Sequence, residues 1–234
     1  LIKQREKMPK KTFFNLPEAK RQIIEAIAID EFAAVPFTSA SISAIVERAG
    51  IAKGSFYQYF EDKKDLYLHL LDLSMKQKVA LVSQFKPSER ALDMFDYLRW
   101  MLQVSVLFEM RYPKLAKIAY RALVEDVPFA DEAEKLAHRG GMFYFNDFLA
   151  QGILHDDVAT WVDTDMAAFL LGAVYNQFGR YLLKRTSLSI EDFADGKLDI
   201  FKDQVVQDLF DNLMDIIMAG IARDPEIRTQ YFNK

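Results

Sequence analysis

The chain predicts an all-α protein, with an N-terminal helix-turn-helix head of three helices and a larger C-terminal helical bundle. Three observations predict this class. Apolar residues recur three and four positions apart through most of the 234 residues, as they do on helices with one buried face. No useful run alternates apolar and polar residues as a half-buried strand would, and there is no internal repeat. The stretch from Ser41 to Leu66, SISAIVERAGIAKGSFYQYFEDKKDL, reads as two short helices joined by a tight turn at Gly50. In DNA-binding versions of such a unit the second helix enters the major groove and the first crosses the backbone.

The elements follow in order. Lys3 to Lys11 reads as a frayed basic arm. Pro17 and Glu18 are a start signal, after which Ile24, Ile27, Ala28 and Phe32 share one face and Pro36 stops the helix. Phe37 is expected to anchor the next loop in the core. Ser41 is the expected N-cap of the second helix, whose apolar face is Ile42, Ile45, Val46 and Ala49. Position 44 is alanine, so no capping box forms and the cap is expected to be weak. Gly50 supplies the left-handed residue at the helix end. The third helix, from about Ala52 to Tyr59, lacks a serine or threonine cap. Asp62 and Asp65 open a fourth helix that continues through Leu66, Leu70, Leu73, Ala80 and Leu81 to Pro87, about 30 Å in length. Five or six further helices are expected, among them Ser88 to Met110, Pro113 to Glu125, Phe129 to Ala150 with an interruption at Gly140 and Gly141, Asp165 to Lys184, and Phe201 to Ala222. Arg185 to Asp199 reads as loop.

Composition narrows the chemistry. The hydrophobic fraction is 51% with 9 Gly and 7 Pro, enough for a sizeable core. Cysteine is absent, which removes disulfides, thiolate nucleophiles and cysteine-based zinc sites. There is no phosphate-binding loop, no His-Glu-x-x-His and no convincing acid–base pair, so neither catalysis nor a cofactor is expected. His69, His138 and His155 are scattered, and His155-Asp156-Asp157 reads as a polar loop rather than a metal site. The longest apolar run, Met166 to Tyr175, falls short of the ~20 residues that span a bilayer. The basic N-terminus has no apolar segment behind it, so a cytoplasmic protein without a membrane partner is expected. Residues 1–86 carry a net charge of +4 and residues 87–234 a net charge of −8, within a total of −4. A basic head on an acidic body suits a DNA-binding protein, although a basic tail alone would also produce the asymmetry.

The residues Ala49-Gly50-Ile51-Ala52-Lys53-Gly54-Ser55-Phe56-Tyr57-Gln58-Tyr59-Phe60, followed by Asp62-Lys63 and Leu66, carry a resemblance to the tetracycline-repressor (TetR) family of transcriptional regulators. The resemblance covers roughly the first quarter to third of the chain. Two positions depart from the family pattern: Pro36 stands where a glycine is usual, and Ala44 where an acidic residue is frequent. By resemblance, Ser41, Tyr57, Tyr59 and Lys63 contact DNA phosphates, and Lys53, Ser55 and Gln58 are candidates for base edges. Lysine suits guanine O6 and N7, glutamine suits adenine N6 and N7, and Gly54 allows close backbone approach. Phe56 and Phe60 are expected in the core of the head. The plainer alternatives are solvation for the polar residues and packing for Tyr57.

The resemblance also implies a homodimer on a palindromic double-stranded operator and an unknown small-molecule effector. The expected organisation is a flexible arm over 1-15, a DNA-binding domain over 16-62 and a ligand-binding and dimerisation domain over 63-234, of which 63-86 is a linking helix. Met166, Ala167, Leu170, Leu171, Val174, Phe178 and Tyr181 fall at helical spacing, as do Val205, Val206, Leu209, Phe210, Leu213, Ile216, Ile217 and Gly220. Family members pair through their last two long helices, so Leu170, Val174, Phe178, Val206, Leu209, Phe210, Leu213 and Ile217 are the expected dimer residues. An internal core stripe would read the same way. The expected pocket aromatics are Trp100, Phe108, Tyr112, Tyr120, Phe143, Tyr144, Phe148, Tyr175 and Phe178, which suit an apolar or aromatic ligand; aromatics at helical spacing also serve simply as core. The reading is a ligand-released repressor. Two alternatives are a helical small-molecule or lipid carrier with an enzyme-like body and a non-DNA head, and a head used only for protein contacts.

Overall fold

The computed structural model describes residues 9–85, 93–125, 127–139, 145–186 and 200–221. These form helices α1 (Lys11–Phe14), α2 (Glu18–Ala34), α3 (Ile42–Arg48), α4 (Lys53–Tyr59), α5 (Lys63–Gln84), α6 (Met94–Arg111), α7 (Pro113–Val124), α8 (Ala130–Arg139), α9 (Phe145–Leu154), α10 (Thr164–Arg185) and α11 (Gln204–Ile221), with a 3-10 turn at Ile200–Lys202 before the last. No strand occurs among the described residues. The helix expected from Phe129 to Ala150 is two helices, α8 and α9; Gly140 and Gly141 lie outside the described residues, as do residues 187–199 of the loop expected from Arg185 to Asp199, whose first residue instead ends α10.

The chain divides into two compact units, Leu1–Val79 with Tyr112–Gly141, and Ala80–Arg111 with Met142–Lys234. The first unit is larger than the head expected over 16-62, because α7 and α8 belong to it. Its core is aromatic. Phe32 stacks on Phe37 with centroids 6.2 Å apart, Tyr67 of α5 meets both edge-on, and Phe129 stands against Phe37 at 4.7 Å. Phe37 therefore anchors the α2–α3 loop as expected. Burying a ring of this size contributes roughly 2–3 kcal/mol, so the loop is held by packing as well as by its turn. The flexible arm expected over 1-15 does not extend through its described end. Residues Lys11–Phe14 are helical and Phe13 is fully buried, 4.9 Å from the Phe60 ring. The apolar pair Phe13-Phe14 gives the segment a side chain that the small core absorbs, and burial outweighs the basic residues around it.

Helix α7 is bound to α2 by a cation at a helix C-terminus. The Arg121 guanidinium donates to the carbonyls of Phe32, Ala33 and Val35 at 3.0, 3.3 and 2.8 Å, and its Nε pairs with Glu125 at 3.0 Å. The last carbonyls of a helix lack intrahelical partners and carry its negative dipole end, so a largely buried arginine there serves both needs. Nearby, the Tyr67 hydroxyl donates to the Ile118 carbonyl at 3.1 Å; burial pushes the Tyr67 phenol up, so it stays a donor. Asp30 of α2 pairs with Lys114 at 2.6 Å and Arg48 at 3.1 Å. The Lys114 hydrogen bond, against the opposing effect of burial, holds the Asp30 carboxyl below the usual carboxylate range. These exposed pairs therefore support the fold above that range, and the support is lost as the pH falls below it through the lowered Asp30 value, by a small amount because water screens them.

In the second unit Leu98, Leu102 and Val106 of α6, Leu149 of α9, Leu171 and Leu182 of α10, and Val206 and Phe210 of α11 form the core. Asp163 caps α10, accepting the N–H groups of Asp165 and Met166 at 3.1 Å each.

The Arg121 arrangement generates a first prediction. Arg121→Met keeps the aliphatic stem but leaves the α2 carbonyls without their donor, and should cost about 2 kcal/mol. Amide exchange in the last turn of α2 should accelerate accordingly; unchanged exchange there would show that the clamp contributes nothing.

Candidate nucleic-acid interface

The turn between α3 and α4 is set by backbone hydrogen bonds. Gly50 has φ +61°. Its N–H donates to Glu47 O at 3.2 Å, and the Ile51 N–H reaches back to Val46 O at 3.0 Å. This paired arrangement is a Schellman motif, and the partly buried Ile51 packs into the core beside it. A side chain at position 50 would meet no neighbour, so glycine is required for its dihedral angle and not for space.

Ser41 caps α3, its hydroxyl accepting the Ala44 N–H at 3.3 Å. The cap expected to be weak is completed from elsewhere. Glu31 of α2 accepts the Ser41 N–H at 3.0 Å, the role that an acidic residue at position 44 would play in a capping box. At the other end of the unit, Asp62 accepts the Asp65 N–H at 2.8 Å, and the Asp65 carboxylate accepts the Glu61 N–H at 3.0 Å. These two bonds start α5 from the expected Asp-x-x-Asp residues, with Asp65 reaching back to Glu61 and not to Asp62.

Helix α4 has two distinct faces. Phe56 and Tyr59 are buried, while Lys53, Gly54, Tyr57 and Gln58 are exposed and Ser55 is half-buried. Positions 53, 54, 57 and 58 share one helical face, so the structure brings together four of the residues expected at DNA. It corrects the expectation for Tyr59, which is 8% exposed with its ring 6.1 Å from Phe13. Position 59 is three residues after Phe56 and so shares its inward face; at most an edge of Tyr59 can reach a phosphate. Lys63 also has a structural task. Its ammonium donates to the carbonyls of Thr38 and Ala40 at 3.1 and 2.9 Å and lies 4.7 Å from the Phe37 ring centre. Two of its three N–H groups are spent on the α2–α3 loop.

In the second unit the expected dimer residues separate by face. Leu170 is 56% exposed, and Val174, Leu209 and Leu213 line an apolar groove between α10 and α11 of about 500 Å³. Val206 and Phe210 are fully buried, Phe178 is 7% exposed, and Ile217 packs against the core. Val206 and Phe210 point inward, which corrects their assignment as interface residues, while the Phe178 ring also borders the groove and Ile217 is only partly buried, as Leu209 and Leu213 are. A stripe five residues wide covers more than one face of a helix, so periodicity alone could not choose between the two sides. The outward face adds Met166, Phe169, Tyr181, Val205 and Ile216, all exposed.

The pocket aromatics are divided as well. Tyr112 and Tyr120 belong to the first unit, and Trp100, Phe108, Phe148, Tyr175 and Phe178 to the second; Phe143 and Tyr144 lie outside the described residues. Phe108, Tyr175 and Phe178 are buried. Trp100 and Phe148 are joined through Tyr97, 5.2 Å from the first ring and 6.3 Å from the second. Burial, and then the neighbouring Tyr175, pushes the Tyr97 phenol up. Tyr97 was not among the expected residues, though it stands one helical turn before Trp100. Among the described residues no group of three or more His, Asp or Glu could hold a metal ion, and no helix is long and apolar enough to cross a membrane.

A helix-turn-helix with a polar outer face on its second helix, in an otherwise helical chain, defines the class of helix-turn-helix transcriptional regulators. Residues 23–70 match the family model for bacterial regulatory proteins of the tetR family, and residues 92–194 match that for a tetracyclin repressor-like C-terminal domain. A crystal structure of a TetR family transcriptional regulator from Chloroflexus aurantiacus is 41% identical, covers 93% of this chain and 100% of its own, and superposes with a TM-score of 0.78. An HTH-type transcriptional regulator of Staphylococcus aureus is 26% identical over 188 residues, 79% of this chain and 94% of that one. FadR of Bacillus subtilis, solved in complex with stearoyl-CoA, shares the fold at 17% identity and a TM-score of 0.59, with 86% of this chain and 98% of that one covered. The chain belongs to the TetR family of transcriptional regulators.

The turn geometry yields a second prediction. Gly50→Ala should destabilise the head by about 1–2 kcal/mol, the cost of a left-handed Cβ-bearing residue. Urea unfolding followed through a head-specific probe reads this directly; an unchanged midpoint would show that the turn relaxes to a different conformation.

Proposed function

We propose that this regulator is a homodimeric repressor that binds a palindromic DNA operator and is released by a small apolar or aromatic effector. The observation that carries the reading is the shared outer face of α4, with Lys53, Gly54, Tyr57 and Gln58 all turned to solvent. Lys53 and Gln58 have the donors and acceptors to read guanine and adenine edges, and the half-buried Ser55 can add a third contact. The fold does not require glycine at position 54, where an added Cβ would meet nothing within 4 Å; close approach to a DNA backbone would require it. Tyr57, the Ser41 hydroxyl, the remaining Lys63 N–H and the edge of Tyr59 are the phosphate contacts of this reading.

One small head makes few contacts, so two are needed, one helical turn of DNA apart, about 34 Å. The outward apolar face of α10 and α11 suits a second copy of the chain. In this reading residues 16-62 bind DNA and residues 63-234 hold the ligand and the dimer surface. The effector lodges among the body aromatics, with Trp100, Tyr97 and Phe148 the described residues best grouped to line its site. The same fold accommodates stearoyl-CoA in the Bacillus subtilis protein, which supports an apolar effector. Such an effector changes operator affinity only by its different affinity for the two spacings of the heads. In this reading the DNA partner implies a cytoplasmic protein.

The test is selection of genomic fragments by the purified protein at two salt concentrations. One palindromic site near a gene start is the expected result. Weak binding that ignores sequence and collapses with salt would reduce the head to a nonspecific basic surface. On the selected fragment, Lys53→Ala and Gln58→Ala should each lose about 1–3 kcal/mol of affinity, with circular dichroism unchanged. Phe169→Asp and Ile216→Asp should sediment as monomers and bind the fragment far more weakly; dimers in both variants would move the interface elsewhere.

A further inference from the structure

The recognition helix of this reading has little stability of its own. It is seven residues long, its N-cap Ala52 makes no side-chain cap, and Gly54 sits in its first turn. Short helices are marginal, and glycine weakens them further. Its last four carbonyls have no partners within the helix, yet all four are occupied. Phe56 O accepts the Phe60 N–H at 2.9 Å. The other three are taken by the segment that precedes α2: Tyr57 O accepts from the Lys10 ammonium at 2.9 Å, Tyr59 O from the Lys10 backbone N–H at 2.9 Å, and Gln58 O from the Thr12 hydroxyl. Phe13 seals the contact from below, buried against Tyr59 and Phe60. The carbonyls held by the Lys10 and Thr12 side chains belong to Tyr57 and Gln58, the residues whose own side chains face outward.

We propose that residues 10–13 are a positioning clamp for α4, in which Thr12 and Lys10 set the order and aim of the DNA-reading side chains without touching a base. The proposal rests on α4 being the recognition helix. Thr12 is the sharper probe because it is neutral, so its removal changes no charge near DNA. Lys10 could also attract phosphate directly, and its loss would then lower the salt dependence of binding.

The experiment compares Thr12→Val, Thr12→Ser and Lys10→Met with the wild type, in amide exchange without DNA and in affinity for the genomic fragment that the wild type selects. Thr12→Val should speed exchange at Tyr57 through Phe60 and weaken fragment binding about fivefold, the effect of one lost hydrogen bond. The slope of log affinity against log salt should not change. Thr12→Ser, which restores the hydroxyl, should match the wild type, and Lys10→Met should speed the same amides. Unchanged exchange in Thr12→Val, or a loss that Thr12→Ser does not recover, overturns the clamp. Faster exchange with wild-type affinity in Thr12→Val sinks the positioning role alone. If Lys53→Ala and Gln58→Ala also bind normally, the recognition-helix reading fails and the clamp's role in DNA binding falls with it.

Discussion

A helix leaves its first four N–H groups and last four carbonyls without intrahelical partners, and in a seven-residue helix that is most of the peptide groups it has. The head depends on meeting this requirement. Helices α3 and α4 have seven residues each, so groups outside them must complete their ends. Ser41 and Glu31 serve the start of α3, and Gly50 with Ile51 serves its end. Lys10, Thr12 and Phe60 serve the end of α4. Lys63 holds the loop carbonyls before α3, and Arg121 holds the end of α2. Most of these contacts join one element to another, so satisfying the backbone also ties the elements together.

The start of α4 has no side-chain cap, and its outer face carries Lys53, Gly54, Tyr57 and Gln58. Lys63 and Tyr59 each carry a structural task, Lys63 on the α2–α3 loop carbonyls and Tyr59 in the core. In the first unit Arg121 also ties α7 to α2 through hydrogen bonds. The body solves a different problem. Its helices are long, from 10 to 22 residues, so their end groups are a small share, and their faces matter more. Helices α10 and α11 keep one apolar face for the core and turn a second one outward.

The fold class, the helix-turn-helix and most helix positions could be read from periodicity and end signals. Gly50, Asp62 with Asp65, and Pro113 each act through local chemistry that sequence spacing displays. Side-chain facing was readable in short helices with one sharp stripe, as in α4, but failed where the stripe was broad. Val206 and Phe210 went to the wrong side because Val205, Leu209 and Ile216 are equally apolar. Tyr59 was assigned by its place in a family motif, and its inward position follows from its spacing to Phe56.

The residues that complete helix ends across long stretches of chain could not have been found in the sequence. Glu31 stands ten residues before Ser41, Thr12 forty-six before Gln58, and Arg121 eighty-nine after Phe32. None forms a motif, because a hydrogen bond needs two groups to meet in space and not at a fixed spacing. Local order in the chain was enough to specify that the protein is helical and where its turn lies, since those depend on neighbours within a few residues. Which polar side chains hold the head together, and which stay exposed, follows from packing that brings distant segments within about 3 Å.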